Sequence, residues 1–164
     1  MPEPHRIVIS NATPLIGLSL INNLHLLKVL YDEVLVPPAV YAEVLTGGPD
    51  RPGSIELQNA IWIKKTRLQD PRRADLLSDL DRGEAEVLAL AQELNADLVI
   101  MDERLGRRHA KRLGLTLTGT LGVLLRAKAQ GHIDKVRPWI GELQKGGIHL
   151  SDFLVEEALQ LAEE

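Results

Sequence analysis

Hydrophobic and polar positions fall in blocks along the chain, and the period changes from block to block. Five short apolar runs, Ile7-Val8-Ile9, Val34-Leu35-Val36, Ile61-Trp62-Ile63, Leu98-Val99-Ile100-Met101 and Leu115–Leu117, have the length and β-branched character of strands. The run Leu98–Met101 is apolar at every position, the pattern of a parallel strand covered on both faces. Between the runs, apolar residues recur at helical spacing. Thr13 is a candidate N-cap and Pro14 a first-turn residue for a helix carrying Leu15, Ile16, Leu18 and Leu20 to Asn22-Asn23. Further helices are predicted over 24–31, 39–45, 54–60, 84–94, 121–130, 135–143 and 153–162, with Gly131 closing one and Ser151-Asp152 capping the last. The stretch Thr46–Gly53 holds three Gly and two Pro, so it reads as the chain's most loop-like segment. Residues 66–80 form a polar connection with about one helical turn, and Ile148-His149-Leu150 a brief extended piece. Strands alternating with helices predict an α/β domain with a parallel sheet.

The pattern centres on Gly83–Ala110, which reads as helix, turn, buried strand and second helix. Val87, Leu88, Ala91 and Leu94 make the apolar stripe of the first helix, and Glu84 lies on that stripe one turn before Leu88. Asp102 follows the buried strand at its carboxyl end, the edge where open α/β sheets bind ligands. Glu84 and Asp102 are thus predicted to converge, within roughly 8 Å, on one crevice suited to a hard cation. A second explanation stands beside this one. Asp81-Arg82-Gly83-Glu84 has the form of a capping box, and Asp102 that of an N-cap. Asn11 ends the first strand as Asp102 ends a later one, and Glu43 lies beside the apolar face of the helix opened by Pro37-Pro38.

Composition narrows the function. Apolar residues make up 45% of 164, enough for one domain with a real core. Only 3% are aromatic, which argues against an aromatic platform for single-stranded nucleic acid. The formal charge is −4, so any contact with a polyanion has to come from a local basic patch. Arg104, Arg107, Arg108, Lys111 and Arg112 supply one beside Asp102, readable either as a solvated helix face or as a phosphate-contacting ridge. With no cysteine, disulfides and thiolate metal sites are excluded. The five histidines show no metal-ligand spacing, and neither a Gly-x-Gly-x-x-Gly nor a Walker A motif is present. Residues Met1–Arg6 lack an apolar signal region and no run approaches 18 apolar residues, so the expected location is the cytoplasm.

With Asn11, Glu43, Glu84 and Asp102 in place, the sequence resembles the PIN-domain superfamily, in particular an uncharacterised PIN-like branch related to toxin–antitoxin ribonucleases. The matching segments are ISNATPLIGL, VPPAVYAEVL, LDRGEAEVLALA, ADLVIMDERLGRRHA and LTLTGTLGVLLRAKAQG, in the family's order across residues 7–131. The resemblance implies a three-layer α/β/α sandwich around a parallel sheet of about five strands. It implies residues 1–164 as a single PIN-like domain, with 132–164 a C-terminal helical extension. It also implies Mg²⁺- or Mn²⁺-dependent hydrolysis of RNA by acids at the sheet's carboxyl edge. By position, Glu43, Glu84 and Asp102 match the family's catalytic and metal-binding acids, and Thr13 the hydroxyl residue near the first of them. Asn11 stands where the family usually has Asp, so it brings a carbonyl ligand without a negative charge. Glu103 is a further candidate for the missing charge. Arg104, Arg107 and Arg108 would then face substrate phosphates. A small antitoxin protein and a homodimer are the partners the resemblance implies. The alternative is a catalytically weakened PIN-like module that binds protein or RNA, and Asn11 is the feature that favours it.

Overall fold

A computed structural model describes residues 6–164; His5 and the rest of the start of the chain lie outside the described residues. Five parallel strands form a single sheet: β1 (Val8–Ser10), β2 (Val34–Val36), β3 (Ile63–Lys65), β4 (Leu98–Ile100) and β5 (Leu117–Thr118). Their spatial order is β3-β2-β1-β4-β5, and ten helices among the described residues flank the sheet in an α/β/α sandwich. From β1 the chain winds outward through β2 to β3, then returns to the other side of β1 to place β4 and β5. The winding therefore reverses between β1 and β4, and the crevice at such a reversal is where open α/β sheets bind ligands.

The strands are short and almost wholly buried; Val8, Ile9, Val34, Val36, Val99 and Ile100 have no exposed surface. A sheet covered on both faces needs such continuous apolar runs. Register follows from the pairing: Ser10 lies opposite Ile100, and Ile100 opposite Thr118. The backbone N–H of Asn11 donates to the Ile100 carbonyl at 2.9 Å, carrying the ladder one step past β1.

The helices that frame the carboxyl edge are α1 (Ala12–Leu20), α3 (Pro38–Thr46), α6 (Arg82–Leu94), α7 (Arg104–Arg112) and α8 (Thr120–Ala129). α6 packs on α3, α7 and the central strands β1 and β4. It is more deeply buried than a one-sided stripe predicts, because Ala85, Ala89 and Ala91 let its backbone approach its neighbours closely. On α8 pack α1, α2 (His25–Tyr31) and α10 (Asp152–Leu161). α4 (Ser54–Asn59) packs on α3, α5 (Arg72–Asp75) packs on α6, and α9 (Arg137–Lys145) adds Ile140 and Leu143 to the core. No single helix among the described residues is long and apolar enough to cross a membrane.

Several boundaries differ from the sequence expectation. β3 begins two residues later, at Ile63: Ile61 is 81% exposed, and the Trp62 carbonyl already accepts from Val34 N–H. β3 is an edge strand, and the lysines that complete it are the residues edges favour. β5 likewise shifts to Leu117–Thr118. Residues 148–150 form no strand. The N-cap of α1 is Asn11 rather than Thr13, and that of α7 is Glu103 rather than Asp102; neither cap side chain bonds its own helix. Both displaced residues have other partners, described next.

Candidate active site

Asp102 lies two residues beyond Ile100, and Thr120 two beyond Thr118, so the strand pairing brings the two level. Thr120 donates to both Asp102 oxygens, from its backbone N–H at 2.9 Å and from its hydroxyl at 2.6 Å. Gly119 makes the approach possible, because a Cβ there would overlap the Asp102 carboxylate. Arg107, half-buried on α7, donates to the Met101 carbonyl at 2.9 Å. Burial pushes the Asp102 carboxyl above its ordinary range, and the charge of Glu103 adds to this; the Thr120 hydrogen bonds and the Arg107 charge oppose it.

Glu103 ties β4 to β1. Its carboxylate accepts from the Asn11 side-chain amide at 2.8 Å and from the Thr13 hydroxyl at 2.6 Å. Asn11 and Thr13 thus share one carboxylate, that of Glu103. The Asn11 side chain is buried, with 3% exposure, and its carbonyl oxygen has no hydrogen-bond partner. An unmet buried acceptor costs about 1–3 kcal/mol unless water or a cation satisfies it.

Glu43 and Glu84 occupy the other side of the crevice. Asp81 caps α6 by accepting from the Glu84 N–H at 2.8 Å, which fixes the first turn and half-buries Glu84. The Glu43 carboxylate lies against that turn: a Cβ on Gly83 would stand 3.1 Å from Glu43 Oε2. Glu84 is pushed up to about 7, first by burial, then by the Asp81 charge and a hydrogen bond with it, then by Glu103 and Glu43. Glu43 is raised as well, by burial and by Asp81 and Glu103. The charge of Glu103 bears on Glu43, Glu84 and Asp102 alike.

These acids do not form a closed cage. Among the described residues, no three His, Asp or Glu side chains converge tightly enough to surround one ion. The donor set is nonetheless that of a hard cation: carboxylates unwilling to ionise alone, and an unmet amide carbonyl. Mg²⁺ in particular keeps several waters and uses one or two protein carboxylates.

A family model, DUF3368, described as a PIN domain, matches residues 7–164. The chain belongs to the PIN-domain family. No curated protein matches it. A PIN domain has a nuclease-type fold, and PIN domains are typically dependent on divalent metals. In this PIN domain Asn11 and Thr13 are hydrogen-bonded to Glu103 between the ends of β1 and β4, and Thr120 to Asp102 between the ends of β4 and β5. Glu43, Asp81 and Glu84 form a second cluster at the start of α6. Arg104 and Arg108 are exposed on α7 and free of these contacts, while Arg107 is committed to the site's frame. Sequence reasoning passed over Thr120, Gly119 and Asp81 as site residues. The Thr118-Gly119-Thr120 triplet directly after a strand was the available signal.

Proposed function

We propose that the protein is a divalent-metal-dependent endoribonuclease, the toxin member of a toxin–antitoxin pair. The observation that carries this is the meeting of Asp102 and Glu103 with Asn11 and Thr13 at the β1–β4 switch point, with the raised carboxyls of Glu84 and Asp102 in support. Asp102, Glu103 and the Asn11 carbonyl would hold the metal on one side, with Glu84 and Glu43 on the other. When bound, the metal supplies charge stabilisation at the phosphodiester and a water acidic enough to attack it. Thr120 and Arg107 hold Asp102 in place, and Thr13 with Asn11 holds Glu103. Glu84, half-buried in the first turn of α6, would accept a proton from the attacking water. Arg104 and Arg108 would meet flanking phosphates. The resemblance to the toxin branch supports a small antitoxin protein over this crevice and a homodimer as the working form.

One experiment tests the reading: cleavage of a mixed RNA pool in Mg²⁺ and in Mn²⁺ by the protein and by Asp102→Asn. Cleavage that needs the metal, is greater in Mn²⁺ and vanishes in the variant is the expected result. Equal cleavage by Asp102→Asn would overturn it. Arg104→Gln with Arg108→Gln should also lower the salt slope of RNA binding by about two, one for each phosphate contact. The second reading, a weakened module that binds RNA or protein, is favoured by the neutral Asn11 and the open arrangement of the acids. It predicts RNA or partner binding with no cleavage in either metal.

A further inference from the structure

A cavity of about 820 Å³ opens beside the acids, with Glu43 as part of its wall. Its apolar sides come from Ile16 and Leu20 on α1 and from Ile148, and its polar rim from Thr46 and Arg51. The walls are closely fitted. A Cβ on Gly146 would overlap the Leu20 side chain, and one on Gly53 would stand 3.0 Å from Val44 and 3.5 Å from Ile16. The loop-like stretch 46–53 thus closes one side of the cavity, and the Gly146-Gly147 break brings in the other.

We infer that this cavity receives one nucleobase of the RNA strand, next to the phosphodiester lying over the acids, and that it favours a base with an exocyclic amino group. The inference rests on the nuclease reading, because Glu43 belongs to both the cavity and the acid cluster. The size falls within the range of about 300–1,000 Å³ typical of small-molecule sites. Two apolar walls suit the faces of a flat base, and apolar side chains serve that role where aromatics are lacking. Arg51 makes no ion pair or hydrogen bond through its guanidinium among the described residues, so that planar donor is available to a phosphate or a base face. The Thr46 hydroxyl donates to the Ala42 carbonyl at 2.7 Å, which leaves its lone pairs to accept. With Glu43 beside it, the rim offers acceptors. Adenine, cytosine and guanine present an exocyclic amino donor, whereas the single N3–H donor of uracil is flanked by two carbonyls that the acceptors of the rim repel. A protein segment fits less well, because the apolar walls end at a carboxylate on one side and an unpaired guanidinium on the other.

The test is a methyl-resolved NMR titration of the full chain with AMP, CMP, GMP and UMP, without metal, alongside the RNA-pool cleavage. Saturable shifts at the Ile16, Leu20 and Ile148 methyls are expected, with UMP binding the weakest. Ile148→Trp fills the cavity from a half-buried position, and Arg51→Gln removes the rim donor. Each should weaken nucleotide binding about tenfold, the scale of one lost stacking or charged contact. No shift at these methyls, UMP binding as well as the others, or both variants binding normally would overturn the inference. So would an amphipathic peptide that shifts the same methyls when nucleotides do not. Cleavage without nucleotide shifts removes the cavity assignment and leaves the nuclease; shifts without cleavage leave the cavity and remove the nuclease.

Discussion

At the scale of single residues, the site turns on the exchange between positions 11 and 103. An aspartate at 11 could not donate to Glu103; two carboxylates would face each other across the present 2.8 Å contact. Such a pair stays half-protonated unless a cation bridges it. Asn11→Asp should therefore tighten Mn²⁺ binding by about 1 kcal/mol or more, the scale of one added charge at close range. Isothermal titration of both proteins measures this directly. If affinity is unchanged while Asp102→Asn abolishes binding, Asn11 is no ligand and Glu103 carries that position alone. Thr120 gives a second residue-scale prediction. Its hydroxyl lies 2.6 Å from Asp102, and hydrogen bonds to ionised groups contribute about 1.5–3 kcal/mol. Because these bonds lower the Asp102 pKa, Thr120→Val should destabilise the fold and raise that pKa further. Denaturant unfolding and a carboxyl-resolved NMR titration would show both, and an unmoved Asp102 titration would mean the hydroxyl does not govern its charge.

At the scale of elements, α6 joins stability to chemistry at its first turn. Asp81 stabilises the helix as its N-cap, yet its charge and its hydrogen bond raise Glu84. Asp81→Ala should cost about 1 kcal/mol of stability, the usual value of a lost cap. It should also bring the Glu84 titration down from about 7 toward the ordinary carboxylate value. A Glu84 titration that stays near 7 in Asp81→Ala would leave burial and the charges of Glu103 and Glu43 as the cause. α6 also marks what was legible in the sequence. The Val87-to-Leu94 stripe, the Asp81 cap and the run at 98–101 are local signals, and they located the helix, the strand and the residues at their ends. The roles of Asp102 and Glu103 were not legible, because local spacing makes either a good N-cap. Their actual partners are set by strand register: Thr120 is 18 residues from Asp102, and Asn11 is 92 from Glu103. Edge strands were misplaced for a related reason, since pairing with an inner strand decides where β3 and β5 begin, and their own polar residues hide it.

At the scale of the whole molecule, two groups of carboxyls pull stability in opposite directions with pH. Glu84 titrates near 7 against an ordinary 4.5, and Glu43 and Asp102 are raised too. A carboxyl raised on folding holds its proton more tightly in the folded state. The stability it contributes is present below the unfolded value and is lost as pH rises toward the folded one. Glu164 behaves the opposite way. Though burial opposes its charge, the N–H groups of Val136 and Arg137 and the Lys128 ammonium hold it down at about 2. Its contribution is present above 4.5 and is lost as pH falls toward 2. Without divalent metal, stability should peak near pH 5, between the two losses. A cation binds the ionised site acids, so it offsets their repulsion at neutral pH but competes with their protons near pH 5. Stabilisation by a ligand is about 2.7 kcal/mol at a hundred times its dissociation constant, and that constant should be weaker at the lower pH. Thermal unfolding at pH 5 and pH 7.5, with and without Mn²⁺, should thus show a larger Mn²⁺ increment at pH 7.5. Glu84→Gln should flatten the metal-free decline between the two pH values and reduce that increment. An equal increment at both pH values would separate the metal from the raised acids and place it elsewhere on the molecule.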